Sequence, residues 1–364
     1  MSKKQFVFIT ACFVQGSFMY TMYYYQIVGR EAWLTLIAGI LLSFVIVSIY
    51  GALYKLHFDD KSNSSKSLAE INTTVYGKNF GKVVSVIYVS SLVLSCSRML
   101  REGGQFVAGN LLMGINWVYI LAILVALCAW TAYYGIKYFA AVGTFTSIFM
   151  YCFTILLFLL LLPYSEIYHL LPIGKQSAEM YIKGTALCTA APFSELIALL
   201  VIAHYIKGEK RNALKKSLIY GILAGSPFLL LSVLRDTLVL GPLMGTFSYP
   251  GYEVIRLVNY NVFSNVESLY GIIVIFLMFF KSALHFLAIS ELLADILNCK
   301  KNVWFYAAVS IGMTFVSWQF ADSNILLTEK VLKFIPYILL AINVGLPVVT
   351  LILSKIKRGS KPLL

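Results

Sequence analysis

Long apolar runs separated by shorter polar stretches make up most of this chain. A helix needs about 20 residues to cross the roughly 30 Å hydrocarbon core of a bilayer. Runs of about this length, numbered here as spans 1 to 10, lie near 5–27, 33–55, 82–112, 116–134, 138–162, 180–206, 213–235, 267–297, 302–319 and 331–355. The pattern predicts an all-α membrane protein with ten transmembrane helices.

Two polar connections stand out between these spans. The loop 56–81 is rich in Ser and Asn and has room for a short surface helix. The connection 236–266 is long, mixed in polarity and punctuated by Gly and Pro. Because hydrocarbon does not tolerate bare backbone groups, we expect 236–266 to fold as short helices over the outer face. We treat residues 1–364 as one integral membrane domain.

Composition supports a membrane protein and excludes a single soluble core. The chain is 60% hydrophobic and 12% charged, whereas soluble domains are about 45 to 50% apolar. The six cysteines and four histidines are dispersed, and no HExxH, GxSxG or Walker-type motif occurs. We therefore predict no metal site, no cofactor and no enzymatic activity.

The net charge of +13 is unevenly distributed along the chain. Of 29 Lys and Arg residues, 19 lie in the N-terminus, the C-terminal tail and one alternate set of loops. Basic residues mark the cytoplasmic side, so both termini are predicted to be cytoplasmic, with loop 56–81 on the same side. The densest cluster, "IKGEKRNALKK" at 206–216, suits anionic lipid headgroups at least as well as a protein partner, and we expect no nucleic-acid partner.

Span 6 carries a proline and a carboxylate at bilayer depth, in "TAAPFSELIALL" at 189–200. Pro192 removes a backbone N–H, and Glu195 places a charge about halfway along the span. Both are acceptable only where they are buried in protein or line a wet cavity. The segment indicates a broken helix; a simple proline kink is the alternative.

Span 1 has a milder interruption at Gln15, Gly16 and Ser17. If the spans form two halves of five, about 5–162 and 180–355, spans 1 and 6 lead the two halves, which enter the membrane from opposite sides. Interrupted helices at corresponding positions of inverted halves are typical of a transporter-type central site. For Gly16, close helix packing through small residues is the alternative.

Spans 3 and 8 contain further charges within the apolar sequence. Arg98, Arg101 and Glu102 share one face of span 3, and Lys281 and His285 share one face of span 8. They predict a polar interior with a ligand or coupling role. Alternatively, Arg98 pairs with Glu102 along their own helix while Arg101 extends toward the outer surface.

Several blocks resemble one known family when they are taken in order. These are "GREAWLTLIAGILLS" after span 1, "APFSELIALL" in span 6 followed by "KGEKRNALKK", and "YPGYEVIRLVNYNVFSNVESL" before span 8. They resemble the B subunit of spore germinant receptors, in the amino acid, polyamine and organocation transporter superfamily. The family usually has a glycine-rich break in span 1, whereas this chain has only Gly16 in "QGSFMY".

The resemblance implies a five-plus-five inverted-repeat fold like that of LeuT, with helices 1 and 6 broken. It also implies a place in the inner membrane of bacterial spores, beside A and C receptor subunits. The expected function is sensing of a small-molecule nutrient, an amino acid, that triggers germination. A proton-coupled amino acid transporter of the same fold is the alternative.

Carried onto this sequence, the superfamily site lies between spans 1, 3, 6 and 8. An amino acid carboxylate would meet backbone N–H groups near the break of span 1, and its ammonium would meet freed carbonyls of span 6, with Glu195 nearby. Lys281 would replace the metal cation that sodium-coupled relatives hold against span 8. The expected ligand-binding residues are Gly16, Ser17, Phe18, Thr189, Ala190, Ala191 and Glu195.

Overall fold

Almost all of the described chain is helical. The computed structural model describes residues 1–59, 64–206, 211–257, 266–321 and 323–359. Parts of the predicted loops 56–81 and 236–266, of the cluster 206–216 and of the C-terminal tail lie outside these residues. The α-helices are α1 Lys3–Gln15, α2 Thr21–Val28, α3 Ala32–Leu56, α4 Leu68–Tyr76, α5 Lys78–Asn110, α6 Trp117–Tyr134, α7 Ile136–Leu160, α8 Ala178–Cys188, α9 Ile197–Val201, α10 Ala213–Leu240, α11 Pro250–Arg256, α12 Val266–Leu297, α13 Val303–Gln319, α14 Asn324–Lys333, α15 Ile335–Leu340 and α16 Leu346–Gly359.

The long apolar helices follow the predicted spans. The described residues contain eight helical stretches long and apolar enough to cross a membrane, or nine if the bent pair α13 and α14 counts as one span. The first stretch, Lys3–Leu56, has 54 residues, which at about 1.5 Å per residue is more than twice a bilayer core. A turn at Gly29, whose φ of +56° suits glycine, divides it. It therefore accounts for spans 1 and 2.

Loop 56–81 contains the expected short helix, α4, which a Ser67–Glu70 capping box starts. It also contains two strands, β1 Phe58–Asp59 and β2 Ser64–Ser65, paired antiparallel. The predicted outer connection folds as a 3-10 segment, Gly241–Thr246, and α11. Its start was predicted too early, because α10 continues to Leu240.

Span 6 is broken where the sequence predicted it. Helix α8 ends at Cys188, and a π-helical turn follows at Thr189–Phe193, within which Ala191 has the non-helical angles φ −132° and ψ 114°. A 3-10 turn, Ser194–Leu196, then leads into α9. Pro192 cannot donate the hydrogen bond that would continue α8, which explains the position of the break.

Span 1 is interrupted without being fully unwound. Helix α1 ends at Gln15, and Gly16 and Ser17 have φ of −63° and −92° with ψ near zero. A 3-10 turn, Phe18–Tyr20, leads into α2. The single glycine is consistent with this tight turn, because these angles are accessible to any residue.

The broken spans lie inside a shell of other helices. Helix α1 packs against α10 and α7, while α12 packs against α5 and α6. Span 6 is the most buried, followed by α12 and α5. Peripheral helices expose large apolar side chains, as a lipid-facing surface requires, for example Tyr119, Trp130, Phe145, Trp304 and Ile311.

Both ends of the described chain lie on one side of the bundle, here called the termini side. The Met1 amino group donates to the Tyr205 carbonyl at 3.1 Å, and Arg358 donates to the Leu56 carbonyl at 3.3 Å. The opposite, or far, side contains the Gly29 turn and α11. The positive-inside prediction assigns the termini side to the cytoplasm.

Candidate functional site

An ion pair joins span 8 to the break of span 6. The Lys281 Nζ lies 2.5 Å from the Glu195 Oε2, and both side chains are almost completely buried. Lys281 also donates to the Ser17 Oγ at 2.5 Å, beside the interruption of span 1. One lysine thus connects both broken spans to α12.

The other Glu195 oxygen accepts a hydrogen bond from the Tyr20 hydroxyl. The Lys281 Nζ lies 4.8 Å from the centroid of the Phe13 ring, and the His285 ring centroid is 5.1 Å from that of Phe13. The His285 Nδ1 is 3.0 Å from the Lys281 carbonyl. Aromatic faces and paired hydrogen bonds make the buried charges tolerable.

A second buried ion pair lies on α5, next to the first. The Arg98 Nη1 donates to the Glu102 Oε1, which also accepts from the Tyr23 hydroxyl. The Arg98 guanidinium carbon stacks 3.6 Å from the centroid of the Tyr20 ring. Tyr20 therefore contacts both pairs, since its hydroxyl binds Glu195 while its ring covers Arg98.

Two of the backbone N–H groups expected to bind an amino acid, those of Gly16 and Ser17, are engaged within the protein. The Gly16 N–H donates to the Cys12 carbonyl at 2.9 Å, and the Ser17 N–H donates to the Val14 carbonyl at 3.0 Å. Phe18 begins the 3-10 turn between them and Tyr20. The break regions of spans 1 and 6 are in contact, so in this state they form a closed junction.

The carbonyls of the span 6 break likewise have protein donors. The Thr189 carbonyl accepts the Ser194 N–H, and the Ala190 carbonyl accepts the Ser194 hydroxyl at 2.7 Å. The Ala191 carbonyl accepts the Tyr24 hydroxyl at 2.6 Å. A carbonyl oxygen has two lone pairs, so each keeps the capacity for a second donor.

Arg98 pairs with Glu102 along its own helix, as the structural alternative predicted, whereas Arg101 does not reach the outer surface. Arg101 is 2% exposed, and its Nη1 donates to the Trp318 carbonyl at 2.8 Å. Its guanidinium lies 4.5 Å from the Trp117 ring centroid. Arg101 thus connects α5 to α6 and α13.

A buried polar cluster on the far side was not predicted. The Arg235 Nε and Nη2 donate to the Asp236 Oδ1 at 2.8 and 2.6 Å, and the Tyr25 hydroxyl donates to Oδ2 at 3.3 Å. Gly251 of α11 covers this cluster so closely that a Cβ there would lie 2.7 Å from the Tyr270 hydroxyl. The adjacent Arg and Asp within an apolar helix were the available signal.

A small cavity lies between this cluster and the interruption of span 1. Its volume is about 20 Å³, enough for small solvent. Its lining includes Phe18 and Met19 of the span 1 interruption, and Tyr249 and Tyr252 from the segment that contains α11. The cavity therefore lies on the far side of the junction between spans 1 and 6.

Asn343 was also missed by the sequence reasoning. It lies in a π-helical turn, Ala341–Gly345, between α15 and α16. Its Oδ1 accepts from the Ser91 hydroxyl at 2.8 Å, and its carbonyl accepts from the Tyr50 hydroxyl at 2.7 Å. A lone asparagine in an apolar span gives no signal of its partners.

The sequence pattern of a family described as spore germination protein matches residues 1–325. The chain belongs to this family. Membership confirms the resemblance at the level of the spore germination family. Among curated proteins, none matches the sequence significantly.

Solved transporters share the fold of this spore germination protein. Mhp1, a nucleobase-cation-symport-1 family transporter in a closed conformation with bromovinylhydantoin bound, is 13% identical with a TM-score of 0.66, covering 93% of this chain and 77% of its own. A mutant of the Eremococcus coleocola manganese transporter is 12% identical with a TM-score of 0.60, covering 95% and 78%. The same transporter with an aromatic bis-isothiourea compound gives 12% and 0.54, with the same coverage.

At these identities the likeness shows the fold alone. The predicted LeuT-like class is confirmed, and this spore germination protein is a multi-pass membrane protein with a transporter-like architecture. Its family and fold relatives are transporters or receptors and not enzymes.

Proposed function

We propose that this protein is the nutrient-sensing B subunit of a spore germinant receptor, and that an amino acid binding at the junction of spans 1, 3, 6 and 8 triggers germination. The observation that carries this proposal is the buried contact of Lys281 with both Glu195 and Ser17. A ligand that enters between the broken spans must rearrange this contact.

The Lys281–Glu195 ion pair defines the closed state of the junction, and separation of the pair would define an open state. With the ion pair formed, spans 1, 6 and 8 are held together and both charges are satisfied without water. Separating the pair is costly in a low dielectric unless new partners replace the lost ones. A zwitterionic amino acid supplies such partners, so it shifts the population only if it favours one state over the other.

The surroundings of the protein follow from the same proposal. It would act in the inner membrane of the spore with A and C receptor subunits, with both termini cytoplasmic. The basic residues of the termini side support that orientation, because they suit anionic headgroups of the cytoplasmic leaflet. The partner subunits would receive the conformational change.

A proton-coupled amino acid transporter is the second candidate. Two observations favour it: the similar solved structures are transporters, and Glu195 lies at the break of span 6, where a carboxylate can exchange a proton during alternating access. In that case Glu195 would be the proton carrier.

Turnover distinguishes the two candidates. The full-length protein is purified, reconstituted in liposomes and supplied with radiolabelled L-amino acids. Binding without accumulation in the lumen supports the receptor, whereas uptake that a pH gradient drives supports the transporter. If the wild-type protein bound none of the amino acids, both the receptor and the transporter would be contradicted.

Spores test the same site in its native complex. We expect Glu195→Gln and Lys281→Met to abolish or strongly reduce the germination response to nutrients, by more than any fall in protein abundance accounts for. A purely structural scaffold predicts that both variants respond as the wild type does. Quantitative immunoblotting of spore membranes excludes loss of the protein as the cause.

A further inference from the structure

The Arg98 guanidinium has a free edge deep inside the protein. Its Nη1 is bound to Glu102, but its Nε and Nη2 have no hydrogen-bond partner among the described residues. The side chain is 0% exposed. Buried donors without partners are rare in native proteins, and each needs an explanation.

The two free donors form one side of a planar fork. Nε–H and the adjacent Nη2–H point in parallel, the geometry that receives both oxygens of a carboxylate. The plane of the fork is fixed, because the guanidinium stacks 3.6 Å from the centroid of the Tyr20 ring. A single water molecule offers the two donors one neutral oxygen, whereas a carboxylate offers each donor its own charged oxygen.

The second fully buried arginine shows what such a fork binds in this protein. The Arg235 Nε and Nη2 both donate to one carboxylate oxygen, the Asp236 Oδ1, at 2.8 and 2.6 Å. In Arg98 the same two atoms have no partner among the described residues, because Glu102 accepts from Nη1 alone. The two buried arginines therefore differ in one respect: the Nε–Nη2 fork of Arg235 is occupied, and that of Arg98 is open.

The position of the fork fits the closed junction. Tyr20, on which Arg98 stacks, also donates to Glu195 at the break of span 6. The far-side cavity ends against Phe18 and Met19, the residues that precede Tyr20 in the same 3-10 turn. A movement of this short turn would therefore connect the cavity to Arg98.

We propose that the Nε–Nη2 fork of Arg98 binds the carboxylate of the nutrient, and that the nutrient is an α-amino acid with a free carboxyl group. The inference rests on the proposed function and assigns the carboxylate to a side chain. The backbone N–H groups of Gly16 and Ser17, expected to fill that role, already have partners.

Charge balance selects a zwitterion over a simple anion. Arg98 and Lys281 are matched by Glu102 and Glu195 in the closed junction. A simple carboxylate would add one uncompensated negative charge to a buried site, which is unfavourable in a low dielectric. An amino acid brings its own ammonium, and the second oxygen of Glu102 has no hydrogen-bond partner among the described residues.

The test compares each amino acid with its α-amide, which keeps the ammonium and loses the carboxylate. Full-length protein in lipid nanodiscs is titrated with the proteinogenic L-amino acids, and then with the amides of those that bind. We expect the free acid to bind about 10- to 100-fold more tightly than the amide, the scale of hydrogen bonds to a charged group.

The Arg98→Lys variant keeps the charge and removes the planar fork, so its acid-to-amide ratio should fall well below that of the wild type, to the part that charge alone contributes. The matched control is Arg235→Lys, which changes the fork already occupied by Asp236 and should keep the wild-type ratio. If Arg98→Lys does not give a monodisperse protein, the charge-neutral double variant Arg98→Gln/Glu102→Gln replaces it.

The outcomes separate this inference from the function on which it rests. An acid-to-amide ratio in the Arg98 variants as large as that of the wild type would overturn the role of Arg98 and leave the sensing function intact. Equal affinity of the wild type for acid and amide would do the same. Failure of the wild type to bind any amino acid would refute both.

Discussion

Lys281 lies 2.5 Å from Glu195 and also 2.5 Å from Ser17, so a single side chain of α12 reaches the interruptions of both broken spans. A lysine ammonium is a compact charge with three donors, and here at least two of its directions are used. Lys281 can contact Glu195 and Ser17 together only while spans 1 and 6 keep their present positions, so the two contacts stabilise the closed junction. Substitution of Lys281 or Glu195 therefore tests directly whether this contact stabilises the closed junction.

The Lys281–Glu195 pair should show strong energetic coupling. Lys281→Met or Glu195→Gln leaves the partner buried without its counterpart, and we expect each to reduce stability by about 3 to 5 kcal/mol. The double variant should recover a large part of the loss, because it leaves no unpaired charge. Thermal unfolding of the protein in nanodiscs measures this cycle.

An exposed ion pair provides the control for that cycle. The Lys183 Nζ lies 2.6 Å from the Glu179 Oε1 on the surface of α8. Water and salt screen such a pair, so the same cycle at Lys183→Met and Glu179→Gln should give little coupling. Equal coupling at the two sites would mean that burial of the Lys281 pair has no special effect.

Ligand binding should not require sodium. The Lys281 ammonium already supplies a positive charge between spans 1, 6 and 8, where sodium-coupled relatives are expected to place their cation. Titration of amino acids in sodium chloride and in potassium chloride at equal ionic strength should therefore give the same affinity. An affinity that rises with sodium concentration would refute the assignment of Lys281 as the resident cation.

Gly16 allows span 1 to approach α12 closely. A Cβ at this position would lie 2.7 Å from the Leu277 carbonyl oxygen and 2.9 Å from the Lys281 Cβ. The carbonyl belongs to the helix backbone and cannot easily move, so Gly16→Ala should destabilise the protein by about 1 to 3 kcal/mol. The melting temperature in nanodiscs reports this loss.

Gly312 in α13 is the matched control for that substitution. Apart from its chain neighbours and the backbone of its own helix, none of the described atoms lies within 4 Å of the ideal Cβ position of Gly312. Gly312→Ala should leave stability unchanged or raise it by about 0.5 to 1 kcal/mol, since alanine favours the helix. A similar loss in both variants would contradict a specific role for the contact between Gly16 and α12.

His57 should make stability sensitive to acid. It follows α3, and its Nε2 lies 3.0 Å from the Ser354 Oγ of α16. Burial, with nearby Lys66 and Arg358, lowers the pKa of His57 from 6.5 to about 4. Between these values the unfolded chain binds the extra proton, so His57 contributes a loss of stability as pH falls through this window.

The variant His57→Gln removes this titration while keeping a side chain that can bind Ser354. Its melting temperature should therefore decline less steeply than that of the wild type between pH 6.5 and 4. Measurements at pH 7 to 8 provide the reference, because His57 is neutral there in both states. Identical declines in the two proteins would exclude His57 as a contributor.

The sequence located the broken spans well because their signals are local. Pro192 lacks a backbone donor wherever it occurs, so the end of α8 at Cys188 follows from the residue type. The start of the outer connection was misplaced for a physical reason. Arg235 and Asp236 resemble the polar edge of a span, but they neutralise each other in the protein interior.

The partners within the site could not be predicted in the same way. Tyr20 and Tyr23 are two of 24 tyrosines, and nothing in their local sequence identifies them as the donors to Glu195 and Glu102. Their roles depend on the chain path through the 3-10 turn, with which Tyr20 faces Glu195 of span 6 and Tyr23 faces Glu102 of α5.

By itself, the sequence determined that this protein resides in a membrane, where most of its crossings begin and end, and to which family it belongs. Those features depend on the length of apolar runs and on local backbone chemistry, both of which are written along the chain. Only the tertiary structure decided that Lys281 meets Glu195 and that Arg98 keeps an open fork. Such pairings depend on how helices distant in sequence rotate and pack against one another.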